Sequence, residues 1–201
     1  GYYTPGSRIK IISEKLSRLL GPEYYLVLPW HFKDFFEVPE DFATSLGSGV
    51  IVDSFNGRVI KYIGDASMHI HNAPIDDDDH PRSAVKTGLQ MLSAVEKFND
   101  KIVSEGRPPV GMGAGINTGL GYLGEMGSTK RHSYDVLGDA VSTAARIESK
   151  CKEYGCLLLV GESTYDKTED DFFYLKVDEL AVKGKSVGIR IYTVLSENEW
   201  A

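Results

Sequence analysis

Residues 57 to 65 read GRVIKYIGD, and residues 134 to 146 read YDVLGDAVSTAAR. The first stretch predicts a β-strand that ends in a Gly-Asp turn, and a second strand over residues 66–72 completes a hairpin. The second stretch predicts the end of a strand, then a glycine, then a helix of small residues. We therefore expect Asp65 at a hairpin tip and Arg146 two turns into a helix.

Apolar periodicity and turn residues divide the whole chain into short elements. The predicted helices cover residues 7–20, 39–54, 81–104, 137–153 and 161–166. The predicted strands cover residues 24–29, 57–63, 66–72, 110–116, 119–124, 156–160, 172–177 and 187–195. Their order predicts an α+β fold with a ferredoxin-like βαββαβ core, in which helices cover one face of a mostly antiparallel sheet. We expect a lead-in helix within residues 1–21 and one domain over residues 22–201.

Three glycines, Gly111, Gly113 and Gly115, alternate with apolar residues in the predicted strand 110–116. One face of that strand then carries no side chains, which lets another element approach closely. The spacing does not match the GxGxxG pattern of dinucleotide-binding loops.

Length and charge limit the classes of function. A chain of 201 residues suits one large domain, and its net charge of -7 argues against a nucleic-acid partner. Cys151 and Cys156 are expected to be reduced thiols, and no apolar run is long enough to cross a membrane. We expect a cytoplasmic location without membrane contact, either alone or as the cytosolic domain of a larger membrane or multidomain signalling protein.

The two quoted stretches, in this order, resemble the class III nucleotidyl cyclases, and the resemblance runs from about residue 50 to residue 195. This family comprises adenylate and guanylate cyclases and has the α+β fold described above. The resemblance implies a catalytic domain that converts ATP to cyclic AMP and pyrophosphate. It also implies Mg²⁺ or Mn²⁺, with two ions where the site is intact, and a homodimer or heterodimer with sites at the interface.

Lys61 and Asp135 look like the pair that reads adenine in this family. A carboxylate can accept from the N6 amino group of adenine, and a lysine can donate to N1. Guanine presents the reverse pattern and would leave both protein groups mismatched. The plain alternative is a surface salt bridge of little energetic value.

The resemblance assigns Asp65 as a metal ligand, because the family's Gly-Asp turn binds metal there. The alternative is an aspartate that merely occupies a turn. The family's other metal aspartate follows its first strand, where only Asp34 in the segment 32–35 gives a loose match. His31 is an alternative ligand, although Mg²⁺ prefers oxygen. Four further aspartates, residues 76–79, are interpreted as a solvated loop and helix N-terminus.

Arg146 follows Asp135 by eleven residues, which is the family's spacing for an arginine that clamps the α-phosphate. Ser142 stands where the family usually has an asparagine that orients the ribose or stabilises the transition state. The loop VKGK offers Lys183 or Lys185 for the terminal phosphates.

Two further segments resemble the family as structural turns, namely Asn117-Thr118-Gly119 and Gly127-Ser128. By contrast, Ser142 and the loose match at Asp34 depart from the family pattern. They favour an alternative in which the chain is a degenerate nucleotide-binding or regulatory module, or the base-reading half of a heterodimer. A ferredoxin-like interaction domain without a nucleotide is a third interpretation.

Overall fold

The computed structural model describes residues 2–3, 10–11, 23–29, 48–63, 66–128, 131–181 and 188–197. The strands in these ranges are β1 Tyr2–Tyr3, β2 Lys10–Ile11, β3 Glu23–Pro29, β4 Arg58–Ile63, β5 Ala66–Ile70, β6 Ala114–Leu120, β7 Tyr122–Ser128, β8 Arg131–Leu137, β9 Leu158–Gly161, β10 Phe172–Leu180 and β11 Ile189–Glu197. The helices are α1 Ser48–Ser54, α2 His80–Ser104, α3 Asp139–Ser149, α4 Cys151–Tyr154 and α5 Glu162–Tyr165. None of these helices combines the length and apolar character needed to cross a bilayer.

Seven strands form the main sheet, in the order β10-β11-β9-β6-β3-β5-β4. Its neighbouring strands are antiparallel except for β6 and β9, which are parallel. The succession β3-α1-β4-β5-α2-β6 has the sheet order β6-β3-β5-β4, which is the ferredoxin-like arrangement. The predicted fold class is confirmed.

Helices lie on both faces of this sheet, not on one face as predicted. Val52 of α1 and several residues of α2 share a buried core with Ala114 and Ile116 of β6. Helix α3 packs on the opposite face, because a Cβ added to Gly115 would lie 2.5 Å from the Ala144 carbonyl oxygen. Helices α1 and α2 belong to the ferredoxin-like core and cover one face of the sheet. Helix α3 comes later in the chain, after β7 and β8, and covers the other face.

The loop before α2 is built by its own polar groups. Asp77 accepts hydrogen bonds from the Asp79 amide at 2.9 Å and from the Ser83 hydroxyl at 2.9 Å. Asn72 accepts from the Asp77 amide at 2.7 Å. The aspartate run therefore forms a loop that leads into a helix N-terminus, as expected from its composition.

The predicted strand 110–116 begins later, at Ala114, and continues to Leu120. Val110 is withdrawn from the sheet because its amide and carbonyl both bond to the Asn99 side chain, each at 2.8 Å. The next strand, β7, pairs with β8 as a separate two-stranded ribbon and not with β6.

Two other predictions need correction. Asn117, Thr118 and Gly119 lie inside β6, and Gly127-Ser128 end β7, so neither segment is a turn. The prediction of a lead-in helix is wrong at Lys10–Ile11, because these residues form a strand that pairs with Tyr2–Tyr3. Aromatic and β-branched residues favour such pairing over an isolated helix. The rest of residues 7–20 lies outside the described residues.

Two buried histidines lie at the end of β5, His69 within the strand and His71 directly after its last residue. His69 and His71 are both 0 % exposed. Burial, together with the nearby His71, lowers the pKa of His69 to about 3. Burial lowers the pKa of His71 to about 4, although its hydrogen bond to the Phe55 carbonyl at 3.1 Å and the charge of Asp77 oppose the shift. Both rings are therefore neutral in the folded protein at neutral pH.

We predict that acid destabilises the fold through these rings. An unfolded histidine has a pKa near ~6.5, so below that pH the unfolded chain binds protons that the folded chain excludes. Stability is complete above about pH 6.5 and falls as the pH drops towards 4 and then 3. Replacing His69 by Val should reduce the loss in unfolding free energy between pH 7 and pH 5 by about 2 kcal/mol.

Urea denaturation at the two pH values measures this difference. Ser67→Ala is the matched control, because Ser67 is buried on the same strand but does not titrate. An unchanged pH dependence in His69→Val would show that His69 does not carry the effect.

Candidate active site

The structure brings Lys61 and Asp135 together from different sheets. Lys61 lies on β4, the edge strand of the main sheet, and Asp135 lies on β8 of the separate ribbon. The Lys61 Nζ atom donates to Asp135 Oδ2 at 2.6 Å. The side chains are 42 % and 20 % exposed, so both ends of the pair remain open to a ligand.

The Asp135 carboxylate is held in a defined orientation. Its Oδ1 accepts from the Val136 amide at 2.8 Å, while Oδ2 faces Lys61. Partial burial raises the pKa of this carboxyl, but the hydrogen bonds from Lys61 and Val136 and the charge of Lys61 lower it more. The net pKa lies below its ordinary value, and the carboxylate is ionised at neutral pH.

Ser142 and Arg146 both lie on α3, which follows β8 directly. Residues four apart project from the same side of a helix, and both side chains are exposed. The Ser142 hydroxyl donates to the Asp139 carbonyl of its own helix at 3.1 Å. Within the described ranges, no carboxylate lies within 4.0 Å of the Arg146 guanidinium.

A small apolar cluster connects helix α3 to the strands that carry Lys61 and Asp135. Val136 and Met68 are buried there with Ala144, and Val141 packs against them. Ile60, next to Lys61 in sequence, joins the same cluster. No hydrogen bond or ion pair of the described part links Ser142 or Arg146 to Lys61 or Asp135. The four side chains are related through packing and not through direct contact.

The remaining predicted site residues are outside the described residues. These are Asp34, Asp65, Lys183 and Lys185. Among the residues that are described, no three His, Cys, Asp or Glu side chains cluster in a way that could hold a metal ion. The metal assignment of Asp34 and Asp65 therefore stays a prediction, and we derive no chemical step through a metal.

A cleft of about 670 Å³ lies along a different flank of α3. Asn117 and Thr118 of β6, Asp139 and Thr143 of α3, and Glu162 of α5 contribute to its lining. It includes none of Lys61, Asp135, Ser142 or Arg146, so the predicted site does not coincide with this cavity. The described residues of the predicted site lie instead on an open part of the surface.

A family model described as the adenylate and guanylate cyclase catalytic domain matches residues 49–196. That match covers 148 of the 201 residues. The chain belongs to this cyclase family. The matched residues begin in α1, one residue after its start, and end one residue before the end of β11, so they include every described site residue.

Two curated relatives carry adenylate cyclase names. An adenylate cyclase of Anabaena cylindrica is 34 % identical over 168 residues, which are 80 % of this chain and 32 % of that protein. The terminal-differentiation specific adenylate cyclase of Dictyostelium discoideum is 37 % identical over 150 residues, which are 72 % of this chain and 7 % of that protein. The cyclase domain thus spans a third or less of these relatives.

The fold is shared with solved structures. The adenylyl cyclase CyaB from P. aeruginosa is 22 % identical with a TM-score of 0.76, covering 88 % of this chain and 95 % of that one. A second family model, described as the C-methyltransferase C-terminal domain, matches residues 1–53. It overlaps the cyclase match only at residues 49–53. The domain boundary between residues 21 and 22 remains a prediction.

Proposed function

We propose that this chain is an adenylate cyclase catalytic domain that converts ATP to cyclic AMP and pyrophosphate. The observation that carries the proposal is the Lys61–Asp135 pair, 2.6 Å apart and open at its surface. The relatives named adenylate cyclase support the same reaction. The active unit is proposed to be a dimer, with the nucleotide between two cyclase domains.

The pair supports recognition of adenine by complementary hydrogen bonding. The Asp135 carboxylate accepts from the N6 amino group, and the Lys61 ammonium donates to N1. Guanine offers an acceptor at O6 and a donor at N1. Its O6 would face the Asp135 carboxylate, acceptor against acceptor, and its N1–H would face the Lys61 ammonium, donor against donor. Because Asp135 is already oriented by the Val136 amide, little side-chain entropy is lost when the base binds.

Arg146 is proposed to bind the α-phosphate. In the reaction, the ribose 3′-oxygen forms a bond to the α-phosphorus as the bond to the pyrophosphate oxygen breaks. The 3′-hydroxyl releases its proton to solvent water, and negative charge builds on the phosphate oxygens. A guanidinium placed beside them stabilises that charge. Lys183 or Lys185 is proposed to bind the terminal phosphates of the same nucleotide.

A divalent ion, Mg²⁺ or Mn²⁺, is proposed to neutralise phosphate charge when bound, with Asp65 and Asp34 as its ligands. Bound there, the ion would supply positive charge beside the attacking oxygen and the leaving pyrophosphate. Of the described residues, Lys61 and Asp135 are proposed to contact the base and Arg146 the α-phosphate.

Ser142 favours a second candidate, a nucleotide-binding module with weak or no turnover. Its hydroxyl donates to Asp139 of its own helix and is shorter than the asparagine usual in the family. Such a chain would serve best as the base-reading half of a heterodimer whose partner supplies the metal ligands.

A direct assay separates the candidates. The purified chain is incubated with ATP and Mn²⁺ or Mg²⁺ over a series of protein concentrations, and cyclic AMP is measured. We expect product formation whose specific rate rises with protein concentration, because dimerisation completes the site. Absence of product with measurable ATP binding would leave the binding module, and absence of both would reject a nucleotide function.

We predict that Lys61→Glu shifts the base preference away from adenine. The new carboxylate cannot donate to N1 and lies beside Asp135, so the ATP-to-GTP ratio of kcat/KM should fall at least about tenfold. Lys97→Glu is the matched control, since Lys97 is an exposed lysine on α2. An unchanged ratio in Lys61→Glu would refute the assigned role.

We predict that Ser142→Asn increases kcat by about a hundredfold, because one donor at a transition state is worth about a hundredfold to a thousandfold in rate. Ser149→Asn is the matched control. Ser149 is an exposed serine of the same helix, and its hydroxyl likewise donates to a helix carbonyl, that of Arg146 at 2.7 Å. Equal effects of the two substitutions on kcat would contradict a specific role for position 142.

A further inference from the structure

One face of strand β6 is directed towards α3 and carries two glycines and one asparagine. Gly115, Asn117 and Gly119 alternate with Ala114 and Ile116, which point into the core beneath α2. A Cβ built on Gly115 would lie 2.4 Å from the Glu148 amide nitrogen and 2.5 Å from the Ala144 carbonyl oxygen. Both neighbours are backbone atoms of α3, which cannot turn aside as a side chain can.

The two residues whose backbone an added Cβ would strike lie on either side of Arg146 in the sequence. Ala144 precedes it by two residues and Glu148 follows it by two, so Gly115 lies beneath the helical turn that carries the arginine. The depth at which this turn sits on the sheet is therefore set by the missing side chain of Gly115.

The strand cannot yield to an added methyl group. Gly115 is paired with Leu28 of β3 on one side and with Leu159 of β9 on the other. Its sequence neighbours Ala114 and Ile116 are 0 % exposed. Any displacement must therefore fall on α3.

The start of α3 also rests on β6. The Asn117 side-chain amide donates to the Ala140 carbonyl at 3.5 Å, and a Cβ on Gly119 would lie 3.0 Å from the Ala140 Cβ. The closest backbone approach is at Gly115, so an added methyl group there would push the turn of Arg146 away from the sheet.

We propose that Gly115 is a positioning residue for the cyclase reaction, which sets the location of the Arg146 guanidinium through the depth of α3. This inference rests on the proposed function. Gly115 makes no contact with the nucleotide and acts only through the helix. The base-reading pair lies on β4 and β8, and α3 reaches it only through the apolar cluster that joins Ala144 to Val136 and Ile60.

The test begins with Gly115→Ala. A shift of about 1 Å in a group that contacts the reacting phosphate can reduce the rate about a hundredfold. We expect kcat for ATP to fall by that order, while the ATP-to-GTP ratio of kcat/KM changes less than about twofold.

The matched control is Gly88→Ala on α2. A Cβ there would meet the Leu158 Cδ1 atom at 2.9 Å and the Ile116 Cδ1 atom at 3.4 Å, on the other face of the same sheet. This variant disturbs helix-to-sheet packing without touching α3. At a comparable loss in Tm, it should retain kcat within about threefold of the parent.

A double-mutant cycle with Arg146→Ala distinguishes positioning from general damage. If Gly115 acts through Arg146, adding Gly115→Ala to the Arg146→Ala variant should change kcat by less than about threefold. Additive losses would overturn the inference. Should Gly115→Ala fail to fold, Gly119→Ala replaces it in the same cycle, because its Cβ would press more mildly on Ala140 at the start of α3 and would displace the same helix.

The outcome for the proposed function is read separately. If the parent chain makes no cyclic AMP, the proposed reaction fails, and the cycle is measured on the dissociation constant of ATP instead. Coupled losses of ATP affinity would still support positioning of Arg146, and additive losses or no ATP binding would overturn it.

Discussion

The close contact between helix α3 and strand β6 is the constraint on which the site depends. Gly115 allows the helix backbone to rest on the sheet, and Asn117 bonds to the Ala140 carbonyl at the start of the helix. On the same face, the Asn117 side chain also accepts from the Ser163 hydroxyl at 3.2 Å, which connects α3 to α5. One row of β6 thus determines where both helices lie.

The ribbon β7–β8 has a different kind of attachment. Among the described strands, β7 and β8 pair only with each other, and a small apolar cluster around Met68 and Val136 holds the ribbon. The Lys61–Asp135 ion pair adds a directional contact across the gap. A partly exposed pair of this kind contributes less than about 1 kcal/mol to stability, so its value lies in orientation. Packing keeps the ribbon in place, and the ion pair aligns the polar groups at its surface.

Much of the fold followed from local pattern. The hairpin β4–β5, the long helix α2 and the ferredoxin-like succession of elements were predicted, because apolar periodicity and turn residues report local structure directly. The full extent of β8 was not. The predictions failed where tertiary contacts decide. Val110 leaves the strand because Asn99, eleven residues away, takes both of its backbone groups. Asn117 to Gly119 look like turn residues, but they lie in a strand because β3 pairs with them.

The sequence by itself determined the cyclase family, the ferredoxin-like core and the residue types at Lys61, Asp135, Ser142 and Arg146, because these are properties of order and spacing. It also predicted that the glycine row would admit a close neighbour. Only the tertiary structure decided which glycine does so, since a Cβ on Gly111 would meet nothing within 4 Å and one on Gly115 would strike α3. It likewise decided that Lys61 and Asp135, 74 residues apart, meet at 2.6 Å. Such contacts depend on how separate elements pack, which no local pattern encodes.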